Sequence, residues 1–96
     1  MSRFVVSPAA KRDLDNIWNS SRANWGIDQS ETYVREIGRC IAKLAAQPSL
    51  GRACPDIRVG YFKYLPGSHV IFPRQGENKI VVVRILHERM DAQRHL

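Results

Sequence analysis

"HVIFPRQGENKIVVVRILHERMD", residues 69–91, decides the fold. Two β-rich runs, His69–Phe72 and Lys79–Leu86, flank "PRQGEN", a segment of turn formers, so the stretch reads as an antiparallel hairpin. "KIVVVRIL" is nearly all apolar, as expected of a central strand covered on both faces or of one whose second face meets a partner. Pro73 offers the ladder no N–H, so the first strand should end, bulge or lie at an edge there. Arg84 alternates onto the face of Ile80, Val82 and Leu86, where it is expected to snorkel, to pair with an acid such as Asp91 or Glu88, or to bind a partner.

Upstream, "IRVGYFKYL" (57–65) adds a further extended run, joined to the hairpin by "PGS" and preceded by the loop "PSLGRACPD". Before that loop the period is helical. Ala10, Leu14, Ile17, Trp18 and Trp25 recur at helical spacing, with Lys11, Arg12, Asp13 and Asp15 largely on the other faces. Ser7 is placed to cap this helix and Pro8 to open it, and Gly26 stops it, predicting a helix from about Pro8 to Asn24. Asp28 and Glu31 suggest an acidic capping box for a second helix, whose buried stripe is Tyr33, Ile37, Cys40, Ile41 and Leu44, and which Pro48 ends. So short a turn between helices implies an antiparallel hairpin. "RFVVS" at the start is a short strand expected to return beside the C-terminal ones. The predicted class is α+β, ordered β-α-α-β-β-β, with the helix hairpin on one face of a mostly antiparallel sheet and the other face open or half covered.

Ninety-six residues, 44% hydrophobic and 25% charged, fit one domain spanning 1–96. A core this small gives modest stability, and a partner covering apolar surface would add to it. No segment has the apolar run of a signal peptide or membrane span, so a cytoplasmic location away from membranes is expected. Cys40 and Cys54 lack CxxC spacing and read as reduced thiols, Cys40 in core packing and Cys54 in a loop. The formal charge of +6 suits an acidic partner, but no polybasic run appears, which argues against direct nucleic-acid binding by the chain alone.

Gly-rich phosphate loops, metal-ligand clusters and GxSxG are absent, and no cofactor is implied. Only the hairpin end gathers chemistry-bearing side chains. His69, Arg84, His87, Glu88, Arg89, His95 and Lys63 could converge, with a histidine as general base and arginines stabilising a pentavalent phosphate. Against this, a histidine at a strand end is more often packed or hydrogen-bonded than catalytic.

"DLDNIWNSSRANWGIDQSETYVREI", "LAAQPSLGRACPDIRVGYFKY", "GSHVIFPR" and "IVVVRILHERMDAQRHL" together resemble the ParE branch of the RelE/ParE toxin superfamily, over nearly the whole chain. Each piece is weak alone; the ordered set of DLxxIW, WGxxQ, PxxGR, IRxGYxK, SHxIF and RILHxRMD is specific. Pro73 departs from it, falling where an aromatic is usual. The resemblance implies the toxin of a type II toxin-antitoxin pair serving plasmid or chromosomal stability. It implies inhibition of DNA gyrase without enzymatic activity, and a ParD-like antitoxin that wraps the toxin in a hetero-oligomeric complex. RelE-like relatives on the same fold are ribosome-dependent mRNA endoribonucleases that commonly use a tyrosine near the C-terminus. The tail after Arg89 has none, which argues against nuclease chemistry. An inactive interaction domain is the third possibility.

Within this frame, catalytic and metal-binding residues are not expected. Arg58, Lys63, Arg74 and Arg84 are candidates to meet acidic side chains of the antitoxin, lying as a helix and extended segment between helix hairpin and sheet. His87, Arg89, Arg94 and His95 are the candidates for target binding, on a C-terminal segment too short to bury much itself.

Overall fold

The computed structural model of the chain describes residues 4–57, 59–64, 67–90 and 92–96, the Gln93 side chain excepted. Among residues singled out above, Arg58 and Asp91 lie outside the described residues, as does Arg3 of the first strand. The elements are β1 (Phe4–Val6), α1 (Pro8–Trp25), α2 (Ile27–Ala46), a 3-10 turn (Pro48–Leu50), β2 (Arg52–Ala53), β3 (Phe62–Lys63), β4 (His69–Gly76), β5 (Lys79–His87) and a final turn of helix, α3 (Ala92–His95). β5 is the centre of a three-stranded sheet, parallel to β1 on one side and antiparallel to β4 on the other. β2 and β3 form a small antiparallel ribbon, which Tyr61 and Tyr64 join to Arg74 and Ile71 of β4 by isolated bridges.

Ser7 starts α1 as anticipated. Its hydroxyl accepts from Ala10 N at 3.0 Å and donates to Val83 O at 2.7 Å, while Ser7 N donates to Val82 O at 3.0 Å. One residue therefore caps a helix and ties its first turn to the central strand. Gly26 (φ 87°, ψ 174°) stands between the helices and serves both. Because a single glycine reverses the chain, α2 begins at Ile27 and the expected Asp28–Glu31 capping box does not form. Glu31 instead pairs with Arg35, and Ser30 bonds back to Gly26 O through both N and Oγ.

The strands differ from expectation for one physical reason. β4 does not stop at Phe72 but continues to Gly76, so the turn is only Glu77–Asn78, with Asn78 at φ 56°. Counting from that turn, Gly76 faces Lys79 and Pro73 faces Val82, yet Phe72 faces Arg84. Val83 is the extra residue of a β-bulge placed where Pro73 has no N–H to give. A one-residue shift reverses which side chains share a face. Ile80 and Val82 join Ile85, not Leu86, in the core under the helices, with Ala10, Ile17, Ile37, Ile41, Leu44 and Ile71. Arg84 and Leu86 fall on the other face, which corrects the single face expected for Ile80, Val82, Arg84 and Leu86.

That other face is covered by the chain itself. Cys54, Phe72 and Leu86 form a second buried cluster, flanked by Ile57, Tyr61 and Val70 from the loop and strand and by Ala92 and Leu96 from the C-terminus. Cys54 is a loop residue as expected but a buried one, its Sγ 3.3 Å from Tyr61 O, and burial pushes its thiol pKa up. Cys40 is only half-buried at the edge of the first core; both thiols are free. Ile57, Val59 and Gly60 turn rather than extend, which shortens the predicted strand to β3. Among the described residues no helix is long and apolar enough to cross a membrane.

Candidate functional site

At the C-terminal end of β5, the bulge brings together side chains that sequence spacing keeps apart. Without it, the register from the Glu77–Asn78 turn would set His69 against Leu86. With it, His69 faces His87, their rings edge-on at 5.2 Å. Tyr33, nearly two turns into α2, shares a 2.5 Å hydrogen bond between its hydroxyl and His69 Nδ1. Trp25 stands edge-on to Tyr33 at 6.1 Å. Burial chiefly, and then the neighbouring His87, lower the pKa of His69, opposed by Glu88; the ring is therefore held neutral near pH 7. Burial raises the pKa of Tyr33, so its hydroxyl keeps its proton. Trp25 is 60% exposed, so of the core or helix-hairpin packing expected for it the second is seen, in its contact with Tyr33 of α2.

Beside this aromatic row lies an ion pair. Arg84 donates from Nε to Asp13 Oδ2 at 2.7 Å and from Nη2 to Asp13 Oδ1 at 2.8 Å, and its remaining Nη1 donates to the carbonyl of His95 at 2.9 Å. Asp13 Oδ2 also accepts from Ile85 N at 2.9 Å, where the sheet edge extends past the end of β1. Asp13 is 8% exposed, not on the wet face of α1 as expected. The acid that Arg84 finds is thus neither Asp91 nor Glu88. The side-chain hydrogen bonds to Asp13 raise the pKa of Arg84 further. Asp13, Asn16, Ser20, His69, Arg84 and His87 line an open groove along this end.

The candidates named for target binding gather here. His87 is half-buried and accepts from Arg89 N at 3.2 Å, Arg89 is exposed, and Arg94 and His95 are exposed on α3, joined to Arg84 through the His95 carbonyl. Of the antitoxin candidates, Lys63 and Arg74 are exposed on β3 and β4, whereas Arg84, opposite Phe72 and so only two residues along from Arg74, has its fork turned to Asp13 of α1. Lys63 sits directly opposite Arg52 in the β2–β3 ribbon, and both line a groove with Leu50, Tyr64, Val70 and Glu88. Like charges facing each other across a ribbon are destabilising, so this groove favours an anionic group. Sequence reasoning missed Asp13, Tyr33 and Arg52. Asp13 could have been found, since it stands three residues after Ala10 and four before Ile17, on the buried stripe itself. Among the described residues no group of three or more His, Cys, Asp or Glu is placed to hold a metal ion.

The same architecture occurs in solved structures. The chain superposes on one from the chromosomal ParDE toxin-antitoxin system of P. aeruginosa with a TM-score of 0.79 at 19% identity, over 91% of this chain and 96% of that one. A chain of the toxin-antitoxin complex RelBE2 from Mycobacterium tuberculosis gives 0.69 at 16% identity, over 91% and 98%. The fold is therefore one found in toxin-antitoxin complexes. In sequence, residues 4–92 match the model of the ParE toxin of the type II toxin-antitoxin system, parDE. Toxin ParE1 of Mycobacterium tuberculosis H37Rv is 50% identical over 96 residues, covering 99% of this chain and 98% of that protein. Toxin ParE1 of Caulobacter vibrioides is 38% identical, covering 100% and 99%, and Toxin ParE of Escherichia coli 32%, covering 100% and 94%. The chain belongs to the ParE toxin family, the toxins of type II toxin-antitoxin systems.

Proposed function

We propose that this toxin acts by binding DNA gyrase, without chemistry of its own, and is held inactive in the cytoplasm by a ParD-like antitoxin. The observation that carries the reading is the state of Arg84. The cation at the centre of the hairpin exit has its fork engaged by Asp13 and its last nitrogen by a backbone carbonyl, so it is not presented to a phosphate. Phosphoryl chemistry needs cations free to meet developing charge. The exposed groups around it, Arg89, Arg94 and His95 with His87 beside them, suit contact with an acidic protein surface. For the antitoxin, the Arg52–Lys63 pair beside Leu50, Tyr64 and Val70 suits an acidic segment with apolar side chains, and Arg74 extends the positive surface.

The rival reading, ribosome-dependent mRNA cleavage, draws on the Tyr33–His69–His87 contact, which offers acid-base groups within reach of one another. A gyrase supercoiling assay beside a translation assay on programmed ribosomes separates the two. Inhibited supercoiling with intact mRNA is expected, and His87→Gln should weaken inhibition only modestly. Ribosome-dependent cutting that disappears in His87→Gln would instead establish the nuclease.

A further inference from the structure

We propose that Arg84 is the positioning residue of the C-terminal segment, a latch that fixes Ala92–Leu96 to α1 and so sets how Arg89, Arg94 and His95 are presented. The functional meaning of the latch rests on the reading of that segment as the target-binding surface. Its physical basis does not.

α3 is four residues long, with Leu96 N bonded to Ala92 O at 3.0 Å beyond it. A single turn has no stability of its own, because nucleation fixes several residues for one hydrogen bond. Tertiary contacts must hold it. One is apolar: Ala92 and Leu96 pack on the Cys54, Phe72 and Leu86 cluster. The other is Arg84, whose Nη1 meets the His95 carbonyl, among the last carbonyls that a helix end leaves without partners. A cation there also meets the negative end of the turn.

Only arginine serves both sides at once. Its planar fork sends Nε and Nη2 to the two oxygens of Asp13 and keeps Nη1 for the carbonyl, whereas a lysine ammonium is one compact point of charge. Asp13 is itself fixed, since it is buried in α1 and also accepts from Ile85 N. The bulge is part of the device. It places Arg84 on the sheet face of Leu86, beside the C-terminal turn, while the side chain still reaches Asp13 of α1, which packs on the other face.

The test follows amide hydrogen exchange at Leu96 in the full chain, with the urea unfolding midpoint and gyrase inhibition measured on the same samples. Arg84→Lys keeps a cation near Asp13 and removes the second reach. Exchange at Leu96 should rise about tenfold, as loss of a hydrogen bond to a charged donor implies, and gyrase inhibition should weaken by a similar factor. The double variant Asp13→Asn with Arg84→Met removes both charges, leaving no ionised group unpaired. It should free Leu96 equally, with exchange in the central strand β5 still slow. Wild-type protection at Leu96 in both variants would overturn the latch, and so would protection lost equally throughout β5. Loosened Leu96 with undiminished gyrase inhibition would support the latch and remove the C-terminal segment as the target surface.

Discussion

Asp13 accepts three hydrogen bonds from two neighbouring residues of β5 while nearly excluded from water, and that concentration makes it the residue whose loss should be felt most. Asp13→Ala leaves Ile85 N without its acceptor and Arg84 without its counter-charge. Breaking a buried pair costs about 3–5 kcal/mol, and the partial exposure of Arg84 places this one near roughly 3. Urea unfolding should report that loss, with Asp13→Asn falling between because its amide oxygen still serves Ile85. His69 makes a second prediction, in pH. Its folded pKa lies below the ordinary 6.5, so over the interval between the two values the unfolded chain binds more protons than the folded one. The contribution of His69 to stability is therefore complete above 6.5 and is lost as pH falls through that value toward the folded pKa. Unfolding midpoints measured from pH 8 to pH 5 should drop across this window. His69→Phe, which keeps a ring against Tyr33 and His87, should flatten the decline. An unchanged pH profile in that variant would assign the decline to other groups.

At the scale of elements, the helix hairpin turns on one glycine. Gly26 has φ 87° and ψ 174°, a region essentially closed to side-chain-bearing residues, although a Cβ there would meet no atom within 4 Å. Gly26→Ala should therefore destabilise by backbone strain alone, about 1–3 kcal/mol, read as a lowered thermal midpoint with the fold retained by circular dichroism. The same element shows what sequence reading captures. Ser7, Pro8, Gly26 and the Ile37, Ile41 and Leu44 stripe act locally, through caps, φ preferences and helical period, and they were legible. The central place of β5 and the disturbance at Pro73 were legible too, because an apolar run and a missing N–H are properties of a few residues. The consequences of the bulge were not. A proline says that a ladder must yield, but whether it ends or inserts a residue depends on what holds the other side. Here Ser7 holds it, from 76 positions away, through the Val82 and Val83 carbonyls. Every misplaced side chain downstream, Arg84 and Leu86 among them, follows from that one residue. The candidate site was legible in composition and not in arrangement, since the Tyr33–His69–His87 row and the Asp13–Arg84 pair exist only in the shifted register.

For the molecule as a whole, the small core makes the second cluster matter. A short chain buries a limited share of its surface, so covering Phe72 and Leu86 from the far side of the sheet is a substantial part of its stability. The C-terminus supplies Ala92 and Leu96 to that cover, which changes what truncation should do. From sequence, removing Ala92–Leu96 is expected to spare folding. With the tail packed on the second cluster and its carbonyl bonded to Arg84, the deletion should instead lower the unfolding free energy. The loss should be about 1–2 kcal/mol, below a full leucine-to-alanine core change because Leu96 is half-buried. Toxicity lost on truncation would then have two sources, a loosened fold and a missing contact surface. Paired substitutions divide them. Leu96→Ala should lower the urea midpoint and, because it removes only the apolar hold on α3 and keeps Arg89 and Arg94, weaken gyrase inhibition by the folded fraction no more than Arg84→Lys does. Arg89→Glu, at an exposed residue, should leave the midpoint nearly where it was, and it and Arg94→Glu should weaken inhibition strongly, more so at low salt than at high, since screening removes the long-range part of any charge contact. If the charge reversals left inhibition intact at every ionic strength, the target surface would have to be sought on the helix hairpin, around Lys11, Arg12, Arg22 and Arg35.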